Sequence, residues 1–340
     1  MEIQLLTRDT ESRWNEYIAK CQDATFYHQL GWRTVIEKTY GLRSVYLMAT
    51  EHGEVAGVLP LFSMENKVLG NKLISLPYAP YGGISSNNSL AEQMIFDEIK
   101  SIAGKMGVRH IEFRNLNYQN FESSVDKSYF TLILNVNRDI SSLWGQLRKS
   151  MRRYVKKSME NNLEVILASN DVKNFYDVYS RHMRDLGSPV HSYDFFKNII
   201  AEFPASSNIA SINLEGHPIA SIFLMKFQDI MIYGWGASND QYLPLFPNYL
   251  LFWETIKSCA DIGIRQFDFG RSMLHEGTYA FKAGWGAEPK QLFYQYYPAG
   301  LKYGEIKKTS LKRRIFSGLW KRVPLPLANV IGPSLRRRIS

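Results

Sequence analysis

The alternation of apolar and polar positions predicts the same order of structural elements twice along the chain. In each half, a strand-like run passes through a glycine turn into a second run, the pattern of a β-hairpin, at 45–62 and 208–225. Further along, each half has a helical segment that stops near a glycine and leads into a buried strand, at 99–113 and 256–269. Elements that recur in the same order at similar spacing indicate an internal repeat.

The repeat predicts an α+β fold of two similar domains, each with a mixed, largely antiparallel sheet and helices on its faces. Helical spacing is found at 11–21, 30–40, 172–186 and 192–202, and further strand patterns at 229–236 and 291–297. The expected divisions are a first domain at 1–139, a linking helix at 140–162, a second domain at 163–300 and a tail at 301–340. A chain of 340 residues is longer than the chains that usually fold around a single hydrophobic core, which agrees with two domains.

The expected linking helix is amphipathic. Leu143, Leu147 and Met151 recur at helical spacing on its apolar side. Its other side is basic and carries Arg148, Lys149, Arg152, Arg153, Lys156 and Lys157. Two interpretations remain open: a solvated linker face, or a surface that contacts the phosphates of a nucleotide or RNA.

The net charge of +9 belongs to the C-terminal segment. Residues 301–340 hold eleven Lys and Arg against one acid, so the rest of the chain is close to neutral. This excludes a protein that coats nucleic acid with its whole surface. Around Phe316 and Trp320 these cations alternate with bulky apolar residues, which suits an anionic membrane surface, here assigned to 305–340. An RNA-binding tail and a disordered tail are the alternatives.

Several common chemistries are excluded by what the sequence lacks. Cys21 and Cys259 cannot form a disulfide framework or a zinc site, and both fall in helix-like segments typical of core packing. The chain has no P-loop, GxGxxG, HExxH, CxxC or GxSxG motif. The first residues lack the order of a signal peptide, and no apolar run is long enough to span a bilayer. We therefore expect a cytoplasmic protein, peripheral on the inner face of the membrane, with no metal or resident cofactor.

The densest candidate site is the segment 267–286. A predicted strand ends at Phe269, Gly270 permits a tight turn, and Arg271 stands where the strand emerges. Further on, Lys282 lies between aromatic residues and glycines, where a lysine can be partly desolvated and directed at developing negative charge. The alternative is that the cations are surface charges and the aromatics are core.

Two further segments have the composition of binding loops. Arg184 lies in a polar stretch that follows a helix, and a loop arginine suits phosphate or carboxylate recognition. The segment 76–83 combines tyrosines, prolines and glycines, a composition that suits sugars and peptides, and 233–236 is a weaker counterpart. A helix end with solvated charges and a turn with packed tyrosines are the respective alternatives.

These residues together resemble the Fem family, the FemAB/FemX-type aminoacyltransferases of peptidoglycan bridges. The resemblance rests on the repeat, on the Phe-Asp-Phe-Gly strand end at 267–270, and on Phe281-Lys282 followed by Gly-Trp-Gly286. Within this family, the residues at 78–83 and 184–190 are more similar to those of FemAB-like proteins associated with exosortase (PEP-CTERM) loci. The resemblance implies two tandem GNAT-like domains.

The resemblance also implies a site and its ligands. The family's Phe-Lys pair, important for aminoacyl transfer, falls on Phe281 and Lys282. Family members take aminoacyl-tRNA as donor and a lipid- or UDP-linked muropeptide as acceptor. The implied acceptor contacts are Tyr78, Tyr81, Arg184, Tyr233 and Tyr279.

One departure concerns the donor. Acetyl-CoA-dependent GNAT domains bind pyrophosphate on a glycine-containing loop that opens a helix. Here 237–248 has two prolines and no glycine, which disfavours acyl-CoA in that mode. The chain also has no room for the long helical arm of some bridge-forming members, so an aminoacyl-tRNA donor is implied by the resemblance alone.

The resulting hypothesis is an acyl- or aminoacyltransferase that modifies a cell-envelope glycan or peptidoglycan precursor. Lys282 would stabilise the oxyanion or leaving group, and Phe281 would hold that lysine in place. Asp268 would orient the acceptor or act as a weak base, although a carboxylate that caps a turn fits equally. Arg184 and Arg271 would hold phosphate or carboxylate groups. The alternative is a non-catalytic binding or scaffold protein of an exopolysaccharide or envelope export system.

Overall fold

The chain forms two compact units. The computed structural model describes residues 1–65, 70–300 and 311–339, and for residues 311–314 it describes the backbone alone. One unit comprises Met1–Tyr129, Gln291–Thr309 and Arg337–Ser340, and the other comprises Phe130–Lys290 and Ser310–Arg336.

The first unit is a sheet with helices on both faces. Its elements in chain order are β1 (Glu2–Leu5), α1 (Glu11–Lys20), α2 (Leu30–Tyr40), β2 (Arg43–Glu51), β3 (Glu54–Met64), β4 (Lys72–Ser75), β5 (Ser85–Ser86), α3 (Ser89–Met106), β6 (His110–Asn115), β7 (Ser124–Asp126) and β15 (Phe293–Tyr297). The strand order is β1-β2-β3-β4-β6-β15-β7, with β5 paired to β3. Ile95 and Phe96 of α3 cover one face, and Trp14 of α1 packs against Tyr46 on the other. These two layers supply the hydrophobic burial that stabilises the unit.

The second unit repeats this plan. Its elements are β8 (Tyr129–Asn135), α4 (Ile140–Gln146), α5 (Lys149–Met159), β9 (Glu164–Ser169), α6 (Val172–Asp185), α7 (Tyr193–Glu202), β10 (Ser207–Leu214), β11 (His217–Phe227), β12 (Ile230–Ser238), α8 (Pro247–Asp261), β13 (Gln266–Met273), α9 (Gly277–Gly284) and β14 (Glu288–Gln291). The strand order is β14-β8-β13-β12-β11-β10-β9. Phe252 of α8 packs against Phe267 and Phe269 on one face. Phe175 of α6 packs against Phe223 on the other.

The predicted α+β class and both hairpins are confirmed. The hairpins are the antiparallel pairs β2–β3 and β10–β11. Their turns contain Gly53 and Gly216, both with positive φ, a conformation that glycine adopts without the strain of a Cβ atom. The predicted helix at 30–40 is α2, with the same bounds.

The predicted domain boundaries differ from the two units because a strand at each boundary pairs elsewhere. The predicted first domain, 1–139, includes β8, which instead lies between β14 and β13 in the second sheet. The predicted second domain, 163–300, includes β15, which pairs antiparallel with β6 and β7 of the first sheet. Each unit therefore completes its sheet with a strand from outside its predicted range.

The predicted single linking helix at 140–162 was wrong. The chain forms two helices, α4 and α5, because Leu147 and Arg148 have extended ψ angles of 138° and 146°. The break lets the Arg148 amide donate to the Gly284 carbonyl at 3.3 Å. Both helices belong to the second unit, where Leu143 and Met151 join the hydrophobic core.

Part of the predicted tail is packed structure. Two helices, Leu311–Trp320 and Leu325–Arg336, belong to the second unit, while 301–310 lie outside the described residues. Trp320 is 6% exposed, and the Ser317 hydroxyl donates to the Leu186 carbonyl at 3.4 Å. The alternative of a disordered tail therefore does not apply to these two helices.

Candidate functional site

Lys282 lies at the centre of the candidate site. It occupies the last turn of α9, which begins after Glu276, rather than the loop suggested by the neighbouring glycines. The side chain is 7% exposed, and its Nζ donates to the Gly270 and Arg271 carbonyls, both at 3.0 Å. An ammonium carries three N–H donors, so these two bonds leave a third donor for another group.

The two carbonyls are available because neighbouring strands stop pairing. β12 and β13 run parallel and pair only between Ile230–Ile232 and Gln266–Asp268. Both strands then continue, to Ser238 and Met273, without further pairing to each other. Strands that separate in this way leave backbone groups for a side chain or a ligand, and Lys282 bonds to two of them.

Asp268 shapes the turn at the end of the paired region. Its carboxylate is buried and accepts hydrogen bonds from the Thr131 hydroxyl and from the Gly270 amide, the latter at 2.7 Å. Gly270 has φ 69°, which a residue with a Cβ rarely adopts. These contacts favour the interpretation of Asp268 as a group that holds the strand end in position.

Burial lowers the pKa of Lys282 to about 8, against the opposing effect of the Asp268 carboxylate and with a further lowering by Arg271. A lysine with this pKa is partly neutral just above physiological pH, so its charge responds to its surroundings. The site thus holds a desolvated cation beside a fixed carboxylate, an arrangement that suits stabilisation of developing negative charge.

This lowered pKa predicts a pH-dependent stability. Because the folded pKa of Lys282 lies below its ordinary 10.5, the unfolded chain binds more protons between about pH 8 and 10.5. The unfolding free energy of the wild type, minus that of Lys282→Met, should therefore be flat below about pH 7 and rise by about 3 kcal/mol up to pH 10.5. Urea unfolding across this range measures it, and a constant difference would contradict the burial of the ammonium.

Aromatic residues hold α9 against α8. Phe281 packs against Tyr249, Phe252 and Trp285, with ring centroids 5.5, 5.4 and 6.0 Å apart. The Tyr233 ring lies 5.8 Å from the Lys282 Nζ. The structure therefore brings together four residues of the segment 267–286, which are Asp268, Arg271, Phe281 and Lys282, and adds Tyr233 from β12.

Tyr279 and Arg184 have other neighbours. Tyr279 shares α9 with Lys282 and packs edge-on against Phe130 at 6.2 Å. Arg184, at the end of α6, donates to the Asp185 carboxylate and, at 3.4 Å, to the Val323 carbonyl of the tail segment. The described contacts place Arg184 with the tail helices rather than with the Lys282 group.

The tyrosines of the segment 76–83 are packed in the first unit. The Tyr78 ring packs tilted against Tyr40, with centroids 4.6 Å apart, and its hydroxyl donates to the Arg337 carbonyl at 3.1 Å. Tyr81 packs edge-on against Tyr27 at 5.5 Å. Both side chains are buried, which favours the structural interpretation of this loop.

One residue of the site, Thr131, was not identified from the sequence. Thr131, which binds Asp268, lies on β8 far away in the chain, and no local pattern connects the two. Ser272 is buried, and its hydroxyl has no hydrogen-bond partner among the described residues. Its position directly after Arg271, where the strand emerges from the turn at Gly270, is a signal that the sequence does contain.

No group of three or more His, Cys, Asp or Glu side chains suited to a metal ion is found in the part of the chain that the structure describes. At the start of α8, where a GNAT domain would hold pyrophosphate, Phe246 has a left-handed backbone and stacks on Tyr154 at 4.8 Å. Over the described ranges, no helix combines the length and apolarity needed to cross a bilayer.

Residues 142–283 match the family model described as Acetyltransferase (GNAT) domain. A search of the curated proteins returned no match. Among solved structures, the chain is similar to FemX, with a TM-score of 0.68 and 14% identity over 86% of this chain and 97% of that one.

Two further structures share the fold. L-PGS from Bacillus licheniformis has a TM-score of 0.55 and 12% identity, covering 86% of this chain and 96% of that one. A tandem GNAT protein from the clavulanic acid biosynthesis pathway has a TM-score of 0.54 and 7% identity, covering 87% and 97%. These likenesses confirm the predicted Fem-type tandem GNAT fold, and the domain match confirms the prediction of an acyltransferase.

Proposed function

We propose that the protein transfers an acyl or aminoacyl group to an amine or hydroxyl of a cell-envelope glycan or peptidoglycan precursor. The observation that supports this most is the buried Lys282 ammonium, held on the Gly270 and Arg271 carbonyls where β12 and β13 stop pairing. It lies within the region that matches an acetyltransferase domain.

In the proposed reaction, the acceptor nucleophile attacks the carbonyl carbon of an activated ester or thioester. A bond forms from the acceptor nitrogen or oxygen to the carbonyl carbon, and the bond from that carbon to the leaving oxygen or sulfur breaks. The proton that the acceptor loses ends on the leaving group, which departs as an alcohol or thiol. The remaining N–H donor of Lys282 stabilises the oxyanion or the leaving group. Alignment of the two reactants supplies a large part of the acceleration.

The other residues of the site keep this geometry. Phe281 fixes α9 through its contacts with α8, and Asp268 fixes the strand end through Thr131 and Gly270. Arg271, whose side chain is exposed beside the ammonium, is suited to a phosphate or carboxylate of a substrate. We assign the donor as aminoacyl-tRNA in preference to acyl-CoA, because the chain before α8 has no glycine loop for pyrophosphate.

We further propose that the acceptor is lipid-linked and that the tail helices contact the membrane, with exopolysaccharide modification as the setting. Trp320 is buried and cannot serve as the membrane anchor expected from the sequence. Other apolar side chains of the two helices are exposed: Ile315, Phe316, Leu319, Leu327, Val330 and Ile331. Beside them are the exposed cations Lys321 and Arg322, which suit an anionic lipid surface.

Replacing Leu319 and Val330 with glutamate should weaken binding to phosphatidylglycerol vesicles by about tenfold or more, because both apolar burial and charge attraction are reduced. These side chains are 62% and 75% exposed, so the fold should tolerate the change. Sedimentation with vesicles measures it, and Ile262→Glu, an exposed site on the same unit, is the matched control. Equal vesicle binding by all three proteins would exclude this membrane surface.

The transfer itself is tested with purified protein and defined substrates. Charged tRNA, acyl-CoAs and acylated carrier protein are each incubated with lipid-linked and nucleotide-linked envelope precursors, and the precursor mass is measured. We expect a mass increase of one aminoacyl group with charged tRNA. Binding of a precursor without turnover under every donor would favour the scaffold alternative.

A further inference from the structure

The outward face of α5 is a dense array of cations without acidic partners. Arg148, Lys149, Arg153, Lys156 and Lys157 are all exposed. In the described part of the chain, none of them forms an ion pair. Like charges one helical turn apart repel each other, so this array is unfavourable until an anion neutralises it. We call it the α5 basic face.

The α5 basic face differs in chemistry from the tail surface. The apolar residues of α5, Met151 and Val155, are buried in the core of the second unit. Only Met159, at the helix end, presents a large exposed apolar side chain. A surface on which cations outnumber exposed aliphatic side chains suits a water-exposed polyanion, whereas membrane contact needs a larger share of bulky apolar groups.

Aromatic rings border the same face. The Arg153 guanidinium lies 4.9 Å from the centre of the Tyr154 ring, and Tyr154 stacks on Phe246 at 4.8 Å. The Lys157 ammonium lies 5.9 Å from the Phe246 ring. Cations interleaved with aromatic planes are typical of surfaces that bind single-stranded or looped RNA through its backbone and bases.

The helix is also joined to the reaction site. The Arg148 amide donates to the Gly284 carbonyl at 3.3 Å, and Gly284 lies two residues after Lys282 on α9. A Cβ atom on Gly284 would come within 2.9 Å of the Met151 side chain, so α5 and α9 are in close contact there. A polyanion on the α5 basic face would therefore lie on the helix next to the one that carries the lysine.

We infer that the α5 basic face binds the sugar–phosphate backbone of an RNA that carries the acyl group to Lys282. Delivery of the acyl group rests on the proposed transferase function, whereas RNA binding to the α5 basic face does not depend on that function. The affinity is expected to be electrostatic and therefore strongly salt-dependent, because each phosphate contact releases condensed counterions.

The test compares two triple variants that lose the same charge. One is Arg153→Gln/Lys156→Gln/Lys157→Gln on α5, and the other is Lys173→Gln/Arg181→Gln/Lys197→Gln, three exposed positions on α6 and α7. Anisotropy titrations use uncharged bulk tRNA as the probe. Thermal unfolding of each variant verifies the fold.

The α5 variant should bind tRNA about 10- to 100-fold more weakly at about 0.1 M salt, with the slope of log K against log salt reduced by about two to three. The α6–α7 variant should lose less than about threefold. Equal losses in the two variants would overturn the inference, as would a loss by the α5 variant that appears with phosphatidylglycerol vesicles and not with tRNA.

The probe carries no acyl group, so this result is separate from turnover. tRNA binding that depends on the α5 basic face, in a protein that transfers nothing, would refute the proposed function and leave this inference standing. Transfer from charged tRNA at the wild-type rate and KM by the α5 variant would refute the inference and leave the function standing.

Discussion

Lys282→Met should lower kcat for acyl transfer by about 10²- to 10³-fold, the usual effect of removing one donor to an oxyanion. Methionine keeps the length of the side chain and its packing in α9, but it cannot donate to the Gly270 and Arg271 carbonyls or to a substrate. Because the ammonium is nine-tenths buried, water cannot readily replace it as a donor. Steady-state transfer to a labelled precursor measures the effect.

The matched control is Lys290→Met, at an exposed lysine of β14 in the same unit. It should retain wild-type kcat and KM, since it removes one charge without touching the site. A folded Lys282→Met protein that transfers at the wild-type rate would show that the lysine is only structural.

Arg114→Met should destabilise the protein by about 3–5 kcal/mol, the effect expected when one partner of a buried ion pair is removed. Arg114 is 1% exposed and donates from Nε to the Glu112 carboxylate at 2.9 Å. It also donates to the Ala79 carbonyl at 2.7 Å and lies 5.3 Å from the Tyr294 ring. Without it, the buried Glu112 loses one of its cations and keeps its ion pair with Lys72, and the loop 76–83 loses the hydrogen bond to the Ala79 carbonyl.

Chemical denaturation measures this loss, and two controls separate its causes. Arg43→Met, at an exposed position of β2, should stay within about 0.5 kcal/mol of the wild type. Glu112→Gln/Arg114→Met should recover part of the loss, because the uncompensated buried charge is gone. A single Arg114→Met protein as stable as the wild type would show that the network contributes nothing.

Local patterns were sufficient to predict both hairpins and the helix at 30–40. The turns at Gly53 and Gly216 need a positive φ and lie between runs of apolar residues, so local chemistry and burial agree there. The helix at 30–40 ends at Gly41, whose left-handed backbone terminates it. Such signals lie within a few residues of the feature that they determine.

The sequence does not predict that β8 joins the second sheet and β15 the first. β15 pairs with β6 across more than half of the chain, and the sequence pattern of a strand does not specify which strand it pairs with. The break between α4 and α5 was missed for a similar reason. The apolar spacing continues through Leu147, so it predicts one continuous helix. The interruption coincides with a hydrogen bond from the Arg148 amide to the carbonyl of Gly284, which is distant in the sequence.

The candidate site was predicted in part. The segment around Lys282 was identified because its lysine, glycines and aromatics are contiguous, whereas Thr131 comes from a distant strand and left no signal. Composition and resemblance predict Tyr78 and Tyr81 as acceptor contacts. Packing and binding loops use the same residue types, and only the burial of these tyrosines distinguishes the two.

The most direct measurement is the pH dependence of kcat/KM, with a hydroxyl acceptor whose nucleophile does not titrate between about pH 6 and 10. Because the Lys282 ammonium has a pKa of about 8 and acts in its protonated form, kcat/KM should fall about tenfold per pH unit above that value. A rate that stays constant or rises up to about pH 10 would contradict the assignment of the Lys282 ammonium as the group that stabilises the transition state.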